Sequence, residues 1–453
     1  MNNNEVKEYI EKMAALSDSC NGITPEMYIE HKVNRGLRDL NGKGVVTGLT
    51  EVSTIIAKEI DEAGNEVPCD GELYYRGINV RDIISGYDKN CVSGFEEAAY
   101  LLLFSKLPDK NELTKFCETL SVMRKLPDSF TRDMILKAPG KNVMNVLSRS
   151  VLALYAYDKE PDNITTSNVL RQCMWLIALF PMLAVYAYRS YAHYHLGESL
   201  YIHNPDLKLG TAANLLQMLR HNGEYTEIEA KVLDAALILH AEHGGGNNSA
   251  FTTHVVTSSG TDTYSAISAA LGSLKGPRHG GANIKVVEMF DDMRANINVS
   301  DKNAVKDYLV RLLNKDAFDN SGLIYGMGHA IYSKSDPRAD ILKVCAKQLS
   351  EQNGFEEEYA LYEYVSQIAP DLIADRRKIY KGVSPNVDFY SGLIYKMLGL
   401  PYELFTPIFA VARIAGWSAH RMEEIQNNGK IIRPSYISVK PKAEYIPMSK
   451  RSK

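Results

Sequence analysis

Arg413 is the residue whose surroundings most restrict its chemistry. It lies in the segment IFAVARIAGW, residues 408–417, in which all residues except Arg413 are apolar or glycine. Because this predicted helix has no polar face here, the guanidinium must lie in the interior or in a cleft, where an unpaired charge is strongly unfavourable. Arg413 therefore needs an anionic partner, which is either an internal Asp or Glu or the carboxylate of a ligand.

Arg338 also occupies an unusual position. It follows Asp336 and Pro337, which the sequence predicts as the cap and the first position of a helix. A cation in the first turn of a helix opposes the helix dipole by ~0.3–1 kcal/mol, and a bound carboxylate would reverse that penalty. The alternative is an exposed arginine without a role.

His329 and Asp388 lie in segments that could carry acid–base chemistry. His329 belongs to SGLIYGMGHAIY, where Gly326 and Gly328 allow close approach of the backbone to a ligand. This segment fits neither of the common phosphate-loop motifs, so a structural histidine in a tight loop is the alternative. Asp388, in SPNVDFYSG, is either a general base or the N-cap of the following helix.

The position of His243 is predicted from a helix pattern. A capping box at Thr226 opens a segment whose apolar residues recur at spacings of three and four, and three glycines after His243 stop it. We therefore expect His243 in the last buried turn, before a hinge. His240 and His243 lack the HExxH pattern and an acid at zinc-ligand spacing, so we predict no metal.

The elements that must position these residues are mainly helical. Residues 1–40 predict a helical arm, and residues 45–80 predict one or two small hairpins with turns at Gly64-Asn65 and Asp70-Gly71. Beyond them, capping boxes at Ser93 and Asp109 open helical segments, and strands do not alternate with helices.

Composition excludes several classes of protein. The chain has 453 residues, 45% of them hydrophobic, which predicts a globular protein of two or three domains. A net charge of −4 gives no global basic field for nucleic acid. Six scattered cysteines and a polar start predict reduced thiols in a cytoplasmic protein. The most apolar stretch, residues 174–188, contains Pro181 and predicts a buried helix and no membrane span.

Between residues 45 and 435, nine segments in order resemble the citrate synthase family. They are GVVTGLTEVSTI, GELYYRGINVRDI, GFEEAAYLLLFSKLP, LILHAEHGGGNNSAFT, GSLKGPRHGGAN, YGMGHAIYSKSDPR, SPNVDFYSG, VARIAGWSAHRMEE and IIRP. The resemblance implies a mostly α, two-domain helical fold with a small N-terminal β-hairpin region. It predicts a large domain at 1–245, a small domain at 246–392, and a return to the large domain with a C-terminal arm at 393–453. It also implies a homodimer.

The same resemblance implies roles for the residues above. The expected catalytic trio is Asp388, which removes the proton from the thioester methyl, His243, which donates a hydrogen bond to the enolate oxygen, and His329, which polarises the ketone of oxaloacetate. Arg338, Arg413 and Arg433 are expected to bind substrate carboxylates, with Arg433 donated across the dimer interface. No cofactor is implied, because coenzyme A enters as the thioester substrate. The expected reaction condenses acetyl-CoA with oxaloacetate, as in the tricarboxylic acid cycle.

Two parts of the family pattern are less direct. Many relatives carry a histidine where this chain has Thr211, and His203 just upstream is the candidate replacement. For coenzyme A, the candidates are Gly326, Gly328, Lys334, Arg377, Lys378 and Lys381. The alternative for the basic cluster after residue 375 is a solvated helix face.

Other functions stay open at this point. A 2-methylcitrate synthase would use propanoyl-CoA, and one methylene in the acyl pocket is worth only ~1–3 kcal/mol. An inactive helical binding module would have lost one of the trio, and all three are present. A metal hydrolase built on the histidines is a fourth hypothesis, which a metal analysis would decide.

Overall fold

The structure, a computed structural model, describes residues 3–20, 22–39, 43–86, 93–377, 382–427 and 429–451. The chain divides into two compact units, Met1–Gly48 with Arg433–Lys453, and Leu49–Ile432. The first unit contains α1 (Asn3–Ser19) and α2 (Pro25–Glu30), neither of which has a buried residue. This confirms the helical arm. The domain boundaries at residues 245 and 392 stay a prediction.

The second unit is largely helical, as the sequence predicts. Its α-helices are α3 (Val80–Gly86), α4 (Gly94–Phe104), α5 (Lys110–Met123), α6 (Val143–Leu154), α7 (Thr166–Tyr191), α8 (Thr211–Leu219), α9 (Glu227–His240), α10 (Asn248–Thr257), α11 (Thr263–Leu274), α12 (Ala282–Asn296), α13 (Lys302–Leu313), α14 (Pro337–Asn353), α15 (Glu356–Arg377), α16 (Val387–Met397) and α17 (Phe405–Gln426).

One small antiparallel sheet precedes these helices. Its strands are β1 (Ser53–Ile60), β2 (Glu66–Tyr75) and β3 (Ile78–Asn79), in that order. The turn at Gly64-Asn65 is confirmed. The turn predicted at Asp70-Gly71 is wrong, because both residues lie inside β2. Position 71 has no room for a larger side chain, because a Cβ on Gly71 would overlap the backbone oxygen of Ser335.

The predicted capping boxes have different outcomes. Those at Asp109 and Thr226 are confirmed. The one at Ser93 is wrong, because its side chain makes no cap hydrogen bond. The carboxylate of Glu96 is used elsewhere: it accepts a hydrogen bond from the backbone nitrogen of Thr211 at 2.7 Å and lies 3.2 Å from Arg124.

The core is built around α7 and α17, which pack against each other. From Phe405 to Glu423 every residue of α17 is buried, as expected for a helix without a polar face. The segment Thr166–Leu196, which includes α7, is long and apolar enough to cross a membrane, but 78% of its most apolar window is buried within the protein. Residues 174–188 therefore form the buried helix that the sequence predicts.

Candidate active site

The small sheet holds the turn that carries His243. Helix α9 ends three residues before His243, so the expectation that it lies in the last turn is wrong. The turn is fixed instead by β-strand residues: the Tyr75 hydroxyl lies 2.9 Å from the Ile238 carbonyl oxygen and 3.1 Å from that of Glu242. The backbone nitrogen of Gly244 donates to Ser53 Oγ at 3.1 Å.

A short backbone pairing brings the His329 loop and the Asp388 loop together. The nitrogen of Gly328 donates to the oxygen of Ser384, and the nitrogen of Asn386 donates to the oxygen of Gly326, both at 2.8 Å. Gly326 and Gly328 have φ of +79° and +87°, a region that favours glycine. A Cβ on Gly326 would also lie 2.8 Å from Phe389. The two glycines are therefore required by this pairing, whatever they contribute to coenzyme A binding.

Asp388 is in the first turn of α16 and does not cap it. The cap is Asn386, whose side chain accepts from the Asp388 backbone nitrogen at 3.0 Å, so the capping interpretation of Asp388 is wrong. Burial raises the pKa of the Asp388 carboxyl to about 6, while the charges of Arg338 and Arg413 act in the opposite direction. The group is a carboxylate at neutral pH, with a proton affinity suited to a general base.

Hydrogen bonds select the tautomer of His329. Its Nδ1 accepts from the backbone nitrogens of Ile331 (3.1 Å) and Tyr332 (3.3 Å). An accepting Nδ1 carries no proton, so in the neutral ring the proton is on Nε2. The ring lies 5.0 Å from that of His243 and 5.1 Å from that of Tyr332, measured between centroids. Nε2 can thus donate to an acceptor such as a ketone oxygen.

His243 is neutral and lies close to cations. Its side chain is buried, and its Nε2 has no hydrogen-bond partner in the part of the chain that the structure describes. Burial lowers its pKa well below the ordinary value, and the charges of Arg338, His329 and Arg413 add to the effect. A neutral imidazole in this position can donate one hydrogen bond without bringing a further positive charge.

Arg338 is buried and paired with the cap of its own helix. Its Nε donates to Asp336 Oδ1 at 3.0 Å and its Nη2 donates to Oδ2 at 2.8 Å. Asp336 also accepts from the Arg338 backbone nitrogen, which confirms the predicted cap. Only 2% of Arg338 is exposed, so the alternative of an exposed arginine is wrong. The guanidinium also lies over the ring of Tyr332, 5.7 Å from its centroid.

Arg413 is as deeply buried, but it makes no ion pair with a carboxylate of the described residues. Its Nε donates to the backbone oxygen of His240 at 2.7 Å, and its Nη1 is buried without a hydrogen-bond partner among them. Burial lowers the pKa of the guanidinium to about 10. The internal ion pair is therefore not found, and a donor remains for a ligand carboxylate.

His279 belongs to the same surroundings and was missed in the sequence. Its Nε2 lies 3.1 Å from the hydroxyl of Ser249, which also accepts from Trp417 Nε1 at 3.1 Å. Burial, with the charge of Arg413, lowers its pKa to about 4. The available signal was its segment GPRHGGAN, which places a histidine next to glycines, as GMGHA does for His329.

The predicted substrate-binding residue His203 is not brought to this group. His203 Nε2 donates to the backbone oxygen of His221 at 2.9 Å, and its ring lies 5.2 Å from that of Tyr201. Thr211, which stands at the position where the resemblance implies a histidine, is buried at the start of α8 and bonded to Glu96. None of these contacts involves His243 or His329.

The candidate coenzyme A residues are only partly described. Lys334 Nζ lies 3.2 Å from Asp70, and both side chains are exposed, so this pair is a weak constraint. Arg377 is the last residue of α15. Lys378 and Lys381 lie outside the described residues. Arg433 is exposed in the first unit, in a segment without helix or strand.

Comparison with known proteins points to one family. The family described as "Citrate synthase, C-terminal domain" matches residues 37–435. A citrate synthase of Synechocystis sp. is 35% identical over 384 residues, which cover 84% of this chain and 89% of the relative. A 2-methylcitrate synthase of Shewanella oneidensis is 34% identical over 382 residues, covering 84% and 92%.

Solved structures agree with this family in fold. The crystal structure of citrate synthase from Pyrobaculum aerophilum matches with a TM-score of 0.74 and 29% identity, covering 91% of this chain and 95% of that chain. A ternary complex of citrate synthase from Thermoplasma acidophilum with carboxymethyl coenzyme A and oxaloacetate matches with a TM-score of 0.75 and 26% identity, covering 92% and 98%.

Proposed function

Because the chain belongs to the citrate synthase family, we propose that it condenses acetyl-CoA with oxaloacetate and water to give citrate and CoA. The observation that carries this proposal is one group of side chains. Burial raises the pKa of the Asp388 carboxylate, and the charges of Arg338 and Arg413 lower it. The same two charges also lower the pKa of the neutral His243. A proton acceptor, neutral donors and anion-binding donors are what enolisation and condensation require.

Asp388 acts as the base on the methyl group of the thioester. That methyl is a very weak acid, so the negative charge that develops on the thioester oxygen must be stabilised by a hydrogen-bond donor. The enol carbon then attacks the ketone carbon of oxaloacetate, and water hydrolyses the thioester of the resulting citryl-CoA to release CoA. His329, through Nε2–H, polarises the ketone, and Arg413 binds a carboxylate.

Two neutral histidines meet the requirement for the enolate donor. The resemblance assigns this role to His243. We assign it to His279, and what supports the change is the position of His243: it packs against His329 and is affected by the charges of Arg338 and Arg413, as an oxo-acid ligand would be. His279 is affected by Arg413 alone among the cations.

Substitution separates these two histidines. We expect His279→Ala to lose deuterium exchange into the thioester methyl group, in the presence of a dicarboxylate without a ketone, while oxaloacetate affinity is kept. His243→Ala should lose oxaloacetate affinity. The exposed His195→Ala is the control. Loss of exchange in His243→Ala with unchanged oxaloacetate affinity would return the enolate role to His243.

The base is tested by Asp388→Asn. Removing a general base costs about 10²–10⁴-fold in rate, so kcat should fall by that factor while oxaloacetate still binds. The exposed Asp371→Asn is the matched control. Near wild-type turnover in Asp388→Asn would remove the base from this mechanism, and an absence of CoA release in the wild-type chain would favour the inactive binding module.

The acyl group is the open point of substrate specificity. The relatives include both citrate and 2-methylcitrate synthases at similar identity, so propanoyl-CoA is the second candidate substrate. A free-thiol assay of CoA release with oxaloacetate and each thioester decides between them. A kcat/KM higher for propanoyl-CoA would assign the chain to 2-methylcitrate synthesis.

We further propose a homodimer in the cytoplasm, in which Arg433 reaches the partner's site. Mixing Arg433→Ala with Asp388→Asn protomers should recover activity, because one site of the mixed dimer then has both residues. The matched control mixes Arg413→Met with Asp388→Asn, whose residues belong to the same compact unit and should not complement. Mixed dimers without activity in the first mixture would contradict sharing of Arg433.

A further inference from the structure

Outside the residues used above, two histidines meet in the interior of the second unit. His254 on α10 and His420 on α17 are 166 residues apart in the chain, and His254 Nε2 lies 3.1 Å from His420 Nδ1. Glu423 Oε2 lies 3.8 Å from that same Nδ1. These three atoms all lie within 4.8 Å of one another. Two imidazole nitrogens and a carboxylate oxygen are a common ligand set for zinc.

The other nitrogen of each ring is held by a carboxylate. Glu424 Oε2 lies 2.8 Å from His254 Nδ1, and Glu242 Oε1 lies 2.9 Å from His420 Nε2. Metal-binding histidines usually have a carboxylate or carbonyl on the second nitrogen, which orients the ring and makes the metal-facing nitrogen more basic. Both rings are therefore held by carboxylates with their inner nitrogens 3.1 Å apart.

Two further observations mark this point as a binding position. Glu423 Oε2 is buried and has no hydrogen-bond partner among the described residues, although only 7% of Glu423 is exposed. Gly245 leaves the adjacent space open: a Cβ there would lie 3.5 Å from His254 Nε2 and 3.8 Å from His420 Nδ1. That space is where a water could complete a four-coordinate shell.

We propose that His254 Nε2, His420 Nδ1 and Glu423 Oε2 bind a divalent cation of the zinc type. Zinc–nitrogen bonds of about 2.0–2.1 Å in a tetrahedral shell separate ligand atoms by about 3.3 Å. Two of the three pairs here are 3.1 and 3.8 Å apart, and the third lies within 4.8 Å, so binding would draw the Glu423 side chain inwards. Binding releases the proton shared between the two rings to solvent, and the doubly charged ion takes its place among three carboxylates, Glu242, Glu423 and Glu424.

The site has a route for the ion and a connection to the chemistry. The side chains of His254 and Glu424 are 12% and 15% exposed, so the outer edge of the cluster reaches solvent. On the inner side, Glu242 directly precedes His243 and also accepts from Ser53 Oγ at 3.0 Å. An ion here would join α10, α17 and the turn that carries His243, and would stabilise the folded chain.

The test uses the full-length chain without a histidine tag. After treatment with a chelator and dialysis against Zn²⁺, we expect one zinc per chain by mass spectrometry of the metal and a higher melting temperature with Zn²⁺ than with Mg²⁺. Cobalt(II) in the same protein should give the strong visible absorption of a tetrahedral site. His254→Gln should lose the bound zinc and the temperature shift, and the exposed His195→Gln should keep both.

A second variant keeps the proposal testable if His254→Gln does not fold. Glu423→Gln has the same shape and retains an oxygen for the backbone nitrogen of Glu51, which donates to Glu423 Oε1 at 2.7 Å. It should bind zinc at least tenfold more weakly. Less than half an equivalent of zinc in the wild type, or equal zinc binding by the wild type and both variants, would overturn the site and leave a hydrogen-bonded histidine pair.

Discussion

Arg338 and Arg413 are equally buried, with 2% and 1% of each residue exposed, and yet their surroundings differ. Arg338 donates from Nε and Nη2 to the two carboxylate oxygens of Asp336, the cap of the same helix. Arg413 donates from Nε to one backbone oxygen, and its Nη1 has no hydrogen-bond partner within the described part of the chain. The same residue type thus has two different roles. One arginine is paired with a carboxylate of its own helix, and the other keeps a donor that is available to a ligand carboxylate.

The largest effect on stability should come from breaking the paired arginine. Arg338→Met leaves the Asp336 carboxylate buried without its cation, which costs ~3–5 kcal/mol. Urea unfolding of the ligand-free protein measures the loss. The double variant Arg338→Met/Asp336→Asn removes both charges and should recover a large part of it. A loss below 1 kcal/mol in the single variant would show that the pair contributes little to the fold.

A much smaller effect is expected for the unpaired arginine. Arg413→Met removes a desolvated charge and keeps a side chain of similar extent, so the free energy of unfolding should stay within about 1 kcal/mol of the wild type or rise. Oxaloacetate should raise the melting temperature of the wild type and leave that of the variant unchanged. A loss as large as that of Arg338→Met would mean that Arg413 holds the fold together.

The smallest effect concerns pH. Because the base must be ionised, kcat/KM should fall as the pH drops through about 6, the pKa of Asp388.

The same raised pKa affects stability. It means that the folded state binds the proton more tightly than the unfolded state, so this favourable contribution is present below the ordinary carboxyl pKa and is lost as the pH rises through 6. As the pH rises from about 4 to 6, the free energy of unfolding of Asp388→Asn should therefore increase relative to that of the wild type. A fall of kcat/KM centred near pH 4 would contradict the raised pKa of Asp388.

The sequence predicts local features of this molecule better than distant ones. The burial of Arg413 follows from an apolar helix, and the caps at Asp109, Thr226 and Asp336 follow from residues three positions apart or fewer. Gly71 was predicted to lie in a turn, but a glycine is required there because Ser335, 264 residues away in the sequence, approaches it closely. Local patterns carry no record of such an approach.

The candidate site shows the same limit. His329 and Asp388 were found because each lies in a distinctive segment of its own. The tautomer of His329 depends on backbone nitrogens that only the folded loop brings to Nδ1. His279 was missed because it lies in the turn between α11 and α12, whereas Arg413 lies on α17, and nothing in the spacing of the two residues indicates that they are related.

The pairing of Gly326 with Asn386 has a kinetic consequence. The loop before His329 and the cap of the helix that carries Asp388 share two backbone hydrogen bonds, and a third runs from the Asn386 side chain to the Gly328 oxygen at 2.8 Å. A rearrangement that moves one loop must carry the other with it. In the proposed mechanism, the loop of His329, which activates the electrophile, and the helix of Asp388, which generates the nucleophile, are therefore tied by these hydrogen bonds, so that a movement of one during turnover is coupled to a movement of the other.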